Sequence, residues 1–290
     1  MITQKVKFLT TAIFALFISL NSYAQQTEEK VNLQKQEETL QTLYDSIANS
    51  NDDQLKTKLN KQIVGIWQNL LNHPETFNYP FDSLDKAGIL KSPDDKLKLY
   101  NWNLPYESGE HDYFCFIQYK PEKKSEQPIL FELIDKSSSI ENPEQQILNN
   151  NEWYGALYYK IIPIETRFDE TYYTLLAYDP NDFMTNKKIV DVLHFNKNKP
   201  VFGASIFKNQ RKISNRLIFE YGEFASMMLK YDEDKEMIVY DHLSPSKPKY
   251  KGDHAFYGPD FSYDGLKYEN GVWNTYFDLD LRLNEIDFDD

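Results

Sequence analysis

A long succession of short strand-like segments is the feature that most constrains the fold of this chain. The segments are rich in aromatic and β-branched residues, polar turns separate them, and no long amphipathic helix lies between them. In chain order they read KLKLYNW, DYFCFIQY, PILFELI, WYGALYYKIIPI, YYTLLAY, KIVDVLHF, PVFGASIF, RLIFEY, SMMLKY, EMIVYD, GLKY and VWNTYFDLDL. Strands without crossover helices pair antiparallel, mostly with sequence neighbours. The pattern therefore predicts a mainly β fold, an antiparallel β-meander closed as a sandwich, a barrel or a small propeller.

The segment before these strands has a helical pattern. Apolar residues recur at helical spacing in two blocks, the first around Leu40 and Tyr44 and the second around Leu59 and Ile63. Asn51 is expected to cap the second helix, and Pro74 to end it. The predicted organisation is a leader at 1–24, a helical hairpin at 25–76 and an antiparallel β domain at 77–290.

A hairpin is predicted at Asn270-Gly271, because a tight type I′ turn needs positive φ at both central residues. The expected register places Tyr268 opposite Trp273 and Leu266 opposite Thr275. Alternation along the second strand then assigns Trp273, Thr275, Phe277, Leu279 and Leu281 to the core face. It assigns Asn274, Tyr276, Asp278, Asp280 and Arg282 to the solvent face.

The N-terminus has the pattern of a secretory signal peptide. Lys5 and Lys7 precede thirteen uncharged residues, and Ser22-Tyr23-Ala24 fits the small-x-small cleavage rule. The apolar run is too short to span a bilayer, so export to the periplasm or the outside with cleavage after Ala24 is expected, without a membrane span. Loss of the two lysines would move the net charge from -13 to -15. So acidic a chain is not expected to bind nucleic acid.

Cys115 is the only cysteine, so the chain cannot form an internal disulfide. It lies between Phe114 and Phe116 in an aromatic strand segment, with no base indicated nearby. A buried, unreactive thiol is therefore expected.

The candidate ligand site is the segment 240–265, whose prolines and glycines are typical of a loop. It concentrates acids, imidazoles and a phenol at Asp241, His242, Asp253, His254, Tyr257 and Asp260. Such groups bind metals or exchange protons, but they are also common in turns for conformational reasons. The segment has none of the spaced ligand motifs of known metal sites, so no metal and no cofactor is expected.

Two acidic stretches begin like calcium-binding loops, at Asp179 and at Asp232. Neither has glycine at the sixth position or glutamate at the twelfth, so neither fits the EF-hand pattern. Both are interpreted as hairpin turns.

Several segments, including NEWYGALYYKIIPI, YTLLAYDPND, RLIFEYGEFASMMLKYDE and FYGPDFSYDG, resemble a group of uncharacterised exported bacterial proteins. The resemblance extends over about residues 95–280. It implies export and a β-rich fold, and it assigns no activity and no catalytic residue.

No nucleophile–base motif, phosphate loop or metal-spaced ligand set occurs in the sequence, which favours a binding protein over an enzyme. Aromatic rings expected near the surface, such as Trp102 and Tyr276, suit a carbohydrate or a peptide. The alternatives are a hydrolase of envelope or dietary polymer with its site in 240–265, and a structural component that docks on an envelope protein.

Overall fold

The computed structural model describes residues 33–121, 124 and 127–280. The expected leader at 1–24 and its cleavage position lie outside these residues, as do Leu281 and Arg282. The described residues form two helices, α1 over 33–48 and α2 over Asp53–Leu70. They also form sixteen strands: β1 Gly88–Lys91, β2 Leu97–Pro105, β3 His111–Tyr119, β4 Ile129–Ile134, β5 Leu148–Asn149, β6 Leu157–Glu165, β7 Thr171–Asp179, β8 Thr185–Asn196, β9 Lys199–Phe202, β10 Phe207–Asn209, β11 Lys212–Ser214, β12 Leu217–Gly222, β13 Leu229–Asp232, β14 Met237–Pro245, β15 Tyr257–Glu269 and β16 Val272–Tyr276.

The predicted helical pair is present, with one correction at its cap. Asp52, and not Asn51, caps α2, because its carboxylate accepts hydrogen bonds from the backbone N–H groups of the next turn. Trp67 of α2 donates its indole N–H to the hydroxyl of Tyr44 of α1 at 2.9 Å. The expected domain boundary at residue 76 falls inside a short 3₁₀ turn, Pro74–Phe77. Within the described residues, no helix combines the length and apolar composition that crossing a membrane requires.

The strands form three sheets, and the fold is mainly β with largely antiparallel pairing, as predicted. The first sheet has the order β1-β2-β3-β4, and the third has the order β11-β10-β16-β15-β14-β13. The second has the order β5-β9-β8-β7-β6, and β12 pairs with the other half of the long strand β8. All three orders are open, so none of these sheets closes on itself as a barrel among the described residues.

Three apolar clusters connect these layers. The helices share a cluster with one face of the first sheet, whose members include Tyr44, Trp67, Tyr100, Trp102 and Phe116. The opposite face of that sheet shares a cluster with the second sheet, including Leu99, Cys115, Trp153, Tyr173 and Phe202. The second and third sheets share a cluster that includes Leu176, Val190, Ile238, Leu266 and Trp273. The central strands are therefore covered on both faces.

Three pairings depart from a simple meander: β5 pairs with β9, and the other two involve β12 and β10. Strand β12 lies in sequence between two strands of the third sheet, β11 and β13, but it pairs with β8 of the second sheet, with Leu217 opposite Val190. Strand β10 pairs with β16 in parallel, with Phe207 opposite Trp273. All three pairings join segments far apart in sequence, so the local pattern does not predict them.

The Asn270-Gly271 hairpin is confirmed, and so is its register. Asn270 and Gly271 have φ values of 55° and 84°, and Tyr268 lies opposite Trp273. The predicted alternation fails beyond Tyr276, where β16 ends. Asp278 has a φ of 54°, which breaks the pleat, and Leu279 packs with Met237 on the face of the third sheet opposite Trp273.

Two single-residue expectations have opposite outcomes. Cys115 is buried as predicted, and burial raises the pKa of its thiol well above the usual range. The expectation that Trp102 lies near the surface is wrong. It is 2% exposed between the helices and the first sheet, and its indole N–H donates to Asn60 Oδ1 at 2.8 Å.

Candidate functional site

The segment 240–265 is not a loop, contrary to the expectation from its prolines and glycines. It consists mainly of the end of β14 and the beginning of β15. Pro245 pairs with Tyr257, and Pro259 pairs with Leu243, beyond the part of the sheet where β13 and β16 continue the hydrogen bonding. Among the described residues, no further strand pairs with β14 or β15 at these positions, so neither proline leaves a neighbouring strand without an N–H donor.

The six candidate residues of this segment are distributed over the hairpin. Asp241 accepts a hydrogen bond from the backbone N–H of Met228 at 2.6 Å. Asp253 precedes a 3₁₀ turn, and the ring of His254 in that turn lies 4.8 Å from the ring of Tyr257. Asp260 accepts hydrogen bonds from the backbone and the hydroxyl of Ser262.

His242 has the most specific environment of the six. Its Nδ1 lies 2.7 Å from Oδ2 of the buried Asp264, and this hydrogen bond raises the pKa of His242 above its ordinary value. The charges of Asp260 and Asp278 act in the same direction. Asp264 also accepts a hydrogen bond from the backbone N–H of Asp278 at 3.3 Å. The Asp264 carboxylate therefore connects His242 to the segment that follows β16.

A different region encloses polar groups more closely. A cleft of about 590 Å³ lies where three parts of the chain meet: the turn between β2 and β3, the end of β4, and the turn between β7 and β8. We refer to it as the cleft. Its floor is formed by Tyr113 of the first sheet, Asp179 and Lys187 of the second sheet, and Tyr154 of the segment between β5 and β6.

Asp179 is the centre of this floor. As the last residue of β7 it accepts a hydrogen bond from the N–H of Asn181 at 2.6 Å, which shapes the hairpin turn. The hydroxyl of Tyr113 donates a short hydrogen bond to the same oxygen. The ammonium of Lys187 lies 3.6 Å from the second carboxylate oxygen. One buried carboxylate thus ties a tyrosine of the first sheet to a lysine of the second.

The titration of these groups follows from their surroundings. Burial, reinforced by the charge of Asp179, raises the pKa of Tyr113 well above its usual range, and burial also raises that of Tyr154. Burial alone would lower the pKa of Lys187, but Tyr154, Asp179 and Glu220 together raise it. At neutral pH the floor therefore presents two phenols and an ammonium in fixed protonation states.

One wall of the cleft is organised by Asp135, just after β4. Its carboxylate accepts hydrogen bonds from the hydroxyl of Ser137 at 2.5 Å and from the backbone N–H groups of Ser137, Tyr113 and Gly155. Position 155 requires glycine, because a Cβ there would lie 2.7 Å from the Asp135 carboxyl carbon and from Tyr113 Cβ.

The cleft carries an excess of negative charge. Its lining contains five carboxylates and one ammonium, that of Lys187; the carboxylates belong to Glu110, Asp112, Glu132, Asp135 and Asp179. Burial lowers the pKa of His111, so this ring adds no positive charge at neutral pH. Among the described residues, only Asp179 of the five has a cation within ion-pair distance.

A second, wider cavity of about 910 Å³ lies beside the first, lined by residues such as Lys136, Ser139, Gln146 and Asn149. None of the described residues that line it is aromatic. Pockets that bind small ligands combine apolar or aromatic walls with a few converging polar groups, and the cleft fits that description better. Over the described ranges, no group of three or more His, Cys, Asp or Glu side chains is arranged to hold a metal ion.

The sequence pointed to Asp179 only as the start of a hairpin turn, which the structure confirms for the turns at both Asp179 and Asp232. The role of its side chain was missed. Tyr113 lies 66 positions away and reaches Asp179 only because the first and second sheets share a core. The one local indication of a role for the Asp179 side chain was its position at the end of a strand, directly before Pro180-Asn181.

No family model, curated protein or solved structure matches this chain in the comparisons with known proteins.

Proposed function

We propose that the protein is an exported, non-catalytic binding protein that takes a polar ligand in the cleft. The observation that carries this proposal is the floor network of Tyr113, Asp179 and Lys187, which fixes polar groups in a partly open cleft of about 590 Å³. Preorganised hydrogen-bonding groups reduce the ordering cost of binding.

The titration of the floor favours binding over proton transfer. General acid–base catalysis works best with a pKa near the operating pH. The pKa values of Tyr113, Tyr154 and Lys187 are all raised further from neutrality. The proton of Tyr113 is already donated to Asp179, and none of the three groups is suited to exchange a proton during a reaction.

The layered architecture supports a rigid site. The first and second sheets share one apolar cluster, and the second and third share another. We propose that the sheets form a three-layer sandwich with the helical pair as an outer layer. The cleft then lies at one edge of the interface between the first two sheets, and Tyr113, Asp179 and Lys187 of its floor belong to strands of those sheets.

Export follows from the leader pattern of residues 1–24, with cleavage after Ala24. We expect mass spectrometry of the protein from its native host to show a mature N-terminus at Gln25. An intact Met1 terminus on protein held in the membrane would contradict export with cleavage.

Filling the cleft is expected to weaken ligand binding without unfolding the protein. Ser138 is exposed and lines the cleft, so Ser138→Trp places a large ring in the cavity at little cost to packing. Its neighbour Ser139 is also exposed but lines the second cavity, which makes Ser139→Trp the matched control. A panel of saccharides, peptides and amines would be screened by thermal shift, and the ligands that bind would be followed by calorimetry.

We expect Ser138→Trp to weaken binding at least about tenfold, equivalent to about 1.4 kcal/mol, and Ser139→Trp to leave it unchanged. Equal affinity for both variants would place the ligand elsewhere. The same panel should be assayed for turnover. Hydrolysis that disappears in a folded His242→Ala variant would favour the alternative function, a hydrolase using the 240–265 hairpin.

A further inference from the structure

Three large apolar side chains on two neighbouring chain segments are exposed. Phe183 is 66% exposed, Met184 is 61% exposed, and Phe224 has no protection from solvent at all. Large exposed apolar groups that cluster are typical of interaction sites, whereas single ones are common on any surface. We refer to these three residues as the apolar rim.

The apolar rim lies on two chain segments that meet just beyond the paired ends of β8 and β12. Gly222 of β12 lies opposite Thr185 of β8, and the next N–H, that of Glu223, donates to the carbonyl of Met184 at 3.0 Å. Phe224 follows Glu223 in a turn closed by the bond from the N–H of Ala225 to the carbonyl of Gly222, and Phe183 precedes Met184 in the turn between β7 and β8.

The apolar rim is continuous with the cleft. The ring of Phe183 covers Gly109, where an added Cβ would lie 2.6 Å from a ring carbon. Gly109 belongs to the turn between β2 and β3, and the next residue, Glu110, lines the cleft. On the other side, Asn181 and Phe183 lie in the same turn between β7 and β8, and Asn181 lines the cleft as well. A ligand in the cleft can therefore extend over the rim.

The two surfaces differ in chemistry. Among the described residues the cleft has five carboxylates against one ammonium, and the hydroxyl of Tyr113, whose proton is donated to Asp179, can still accept a hydrogen bond. The apolar rim has two aromatic rings and a thioether, which suit an apolar partner. A complementary ligand thus has a cation with several N–H donors, and an apolar group next to it.

We propose that the cleft and the apolar rim together bind a peptide segment. A lysine or arginine side chain of the peptide enters the cleft, and an adjacent apolar side chain lies on the rim. This inference rests on the proposed function, since it assigns a ligand to the same cleft. A saccharide offers neither the cation nor the large apolar side chain. A membrane with anionic lipids would be repelled by the carboxylates of the cleft.

The test begins with the ligand. Blocked hexapeptides of glycine with one adjacent Lys and Phe would be titrated into the full-length mature protein, with binding followed by fluorescence anisotropy of a labelled peptide. Replacing the Lys of the peptide with Glu is expected to weaken binding at least about tenfold, because a like charge then enters the cleft. Binding of the Lys peptide should also weaken from about 0.1 M to about 1 M salt, over which the screening length falls from about 10 Å to about 3 Å.

The protein variants test each half of the surface against a matched control. Phe224→Ser removes a ring of the rim, and Phe168→Ser removes one that is 85% exposed in the turn between β6 and β7. The 9-residue strand β7 lies between that turn and the turn that carries Phe183 and Met184, so Phe168 is distant from the apolar rim. Asp112→Asn removes a charge of the cleft but keeps the acceptor for the hydroxyl of Tyr106. Asp234→Asn removes an exposed charge in the turn between β13 and β14.

We expect Phe224→Ser to weaken binding of the Lys-Phe peptide about tenfold and Asp112→Asn about threefold, with no change for Phe168→Ser or Asp234→Asn. Equal binding of the Lys and Glu peptides, no binding at about 1 mM, or equal effects of Phe224→Ser and Phe168→Ser would each overturn the inference. If a saccharide binds in a way that Ser138→Trp abolishes while the peptides do not bind, the peptide inference fails and the proposed function stands. If nothing binds in a way that depends on Ser138, both fail.

Discussion

Replacing Arg216 with methionine is expected to lower the free energy of unfolding by about 3–5 kcal/mol, the usual result of breaking a buried ion pair from one side. Arg216 is completely buried immediately before β12, and its Nε lies 3.2 Å from Oδ1 of Asp191, which is also buried. The Nε–H does not point along the line that a hydrogen bond would need, so the contact is an ion pair.

The same guanidinium holds a neighbouring segment in place. Nη1 of Arg216 donates to the carbonyl of Gln146 at 3.1 Å and, through a short hydrogen bond, to that of Pro143. Burial raises the pKa of Asp191, although Arg216 and the N–H of Val192 oppose the shift. Methionine would leave the two carbonyls without this donor and Asp191 without its counter-charge, and both are costly inside a protein.

Two further variants separate the buried charge from general effects of substitution. Lys212→Met breaks the exposed ion pair with Glu144, 3.0 Å long, and should cost less than about 1 kcal/mol. Adding Asp191→Leu to Arg216→Met removes the unpaired charge and should recover part of the loss. Urea titrations of the four proteins would show this order. A loss for Arg216→Met no larger than that for Lys212→Met would mean that the buried pair does not stabilise the fold.

The strands were predictable because the composition and alternation that mark a strand are contained in its own few residues. Cross-strand pairing between neighbours was also predictable, as at Tyr268 and Trp273, because a two-residue turn leaves one register. The parallel pairing of β10 with β16 and the addition of β12 to β8 were not predictable, since loops of very different length can close such contacts at similar cost.

The burial of β2 on both faces explains why Trp102 was wrongly predicted to lie near the surface. In a strand with one wet face, alternation separates core from surface, but β2 packs on the helices through Trp102 and on the second sheet through Leu99. When both faces of a strand are buried, alternation cannot distinguish a core face from a solvent face. The position of Trp102 in β2 therefore did not show which layer its side chain contacts.

The candidate site was hidden for a related reason. Tyr113, Asp179 and Lys187 come from different strands, and each has an ordinary local context: an aromatic strand, a hairpin turn and a charged strand end. Only the packing of the first sheet on the second brings the phenol to the carboxylate. The opposite relation between sequence distance and spatial distance holds in the 240–265 segment. Its acids and histidines are close in sequence, but the hairpin distributes them along two strands.

Trp273→Ala is expected to lower the free energy of unfolding by about 3–5 kcal/mol, because it empties a large site in the cluster between the second and third sheets. Trp273 is 1% exposed, packs against Tyr268 with ring centroids 5.3 Å apart, and donates its indole N–H to Thr174 Oγ1 at 3.0 Å. That hydrogen bond crosses from β16 to β7, so the alanine variant loses a contact between sheets as well as apolar burial.

Phe277→Ala is the matched control for Trp273→Ala, since it removes an aromatic ring four positions further along the same chain segment. Regular alternation would place Phe277 on the core face with Trp273, but β16 ends at Tyr276 and Phe277 is 44% exposed. We therefore expect a loss below about 1 kcal/mol for Phe277→Ala. Trp273→Phe, which keeps a ring but loses the N–H, should fall between the two. Similar losses for Trp273→Ala and Phe277→Ala in a denaturant titration would mean that β16 continues past Tyr276 in solution and that both rings face the core.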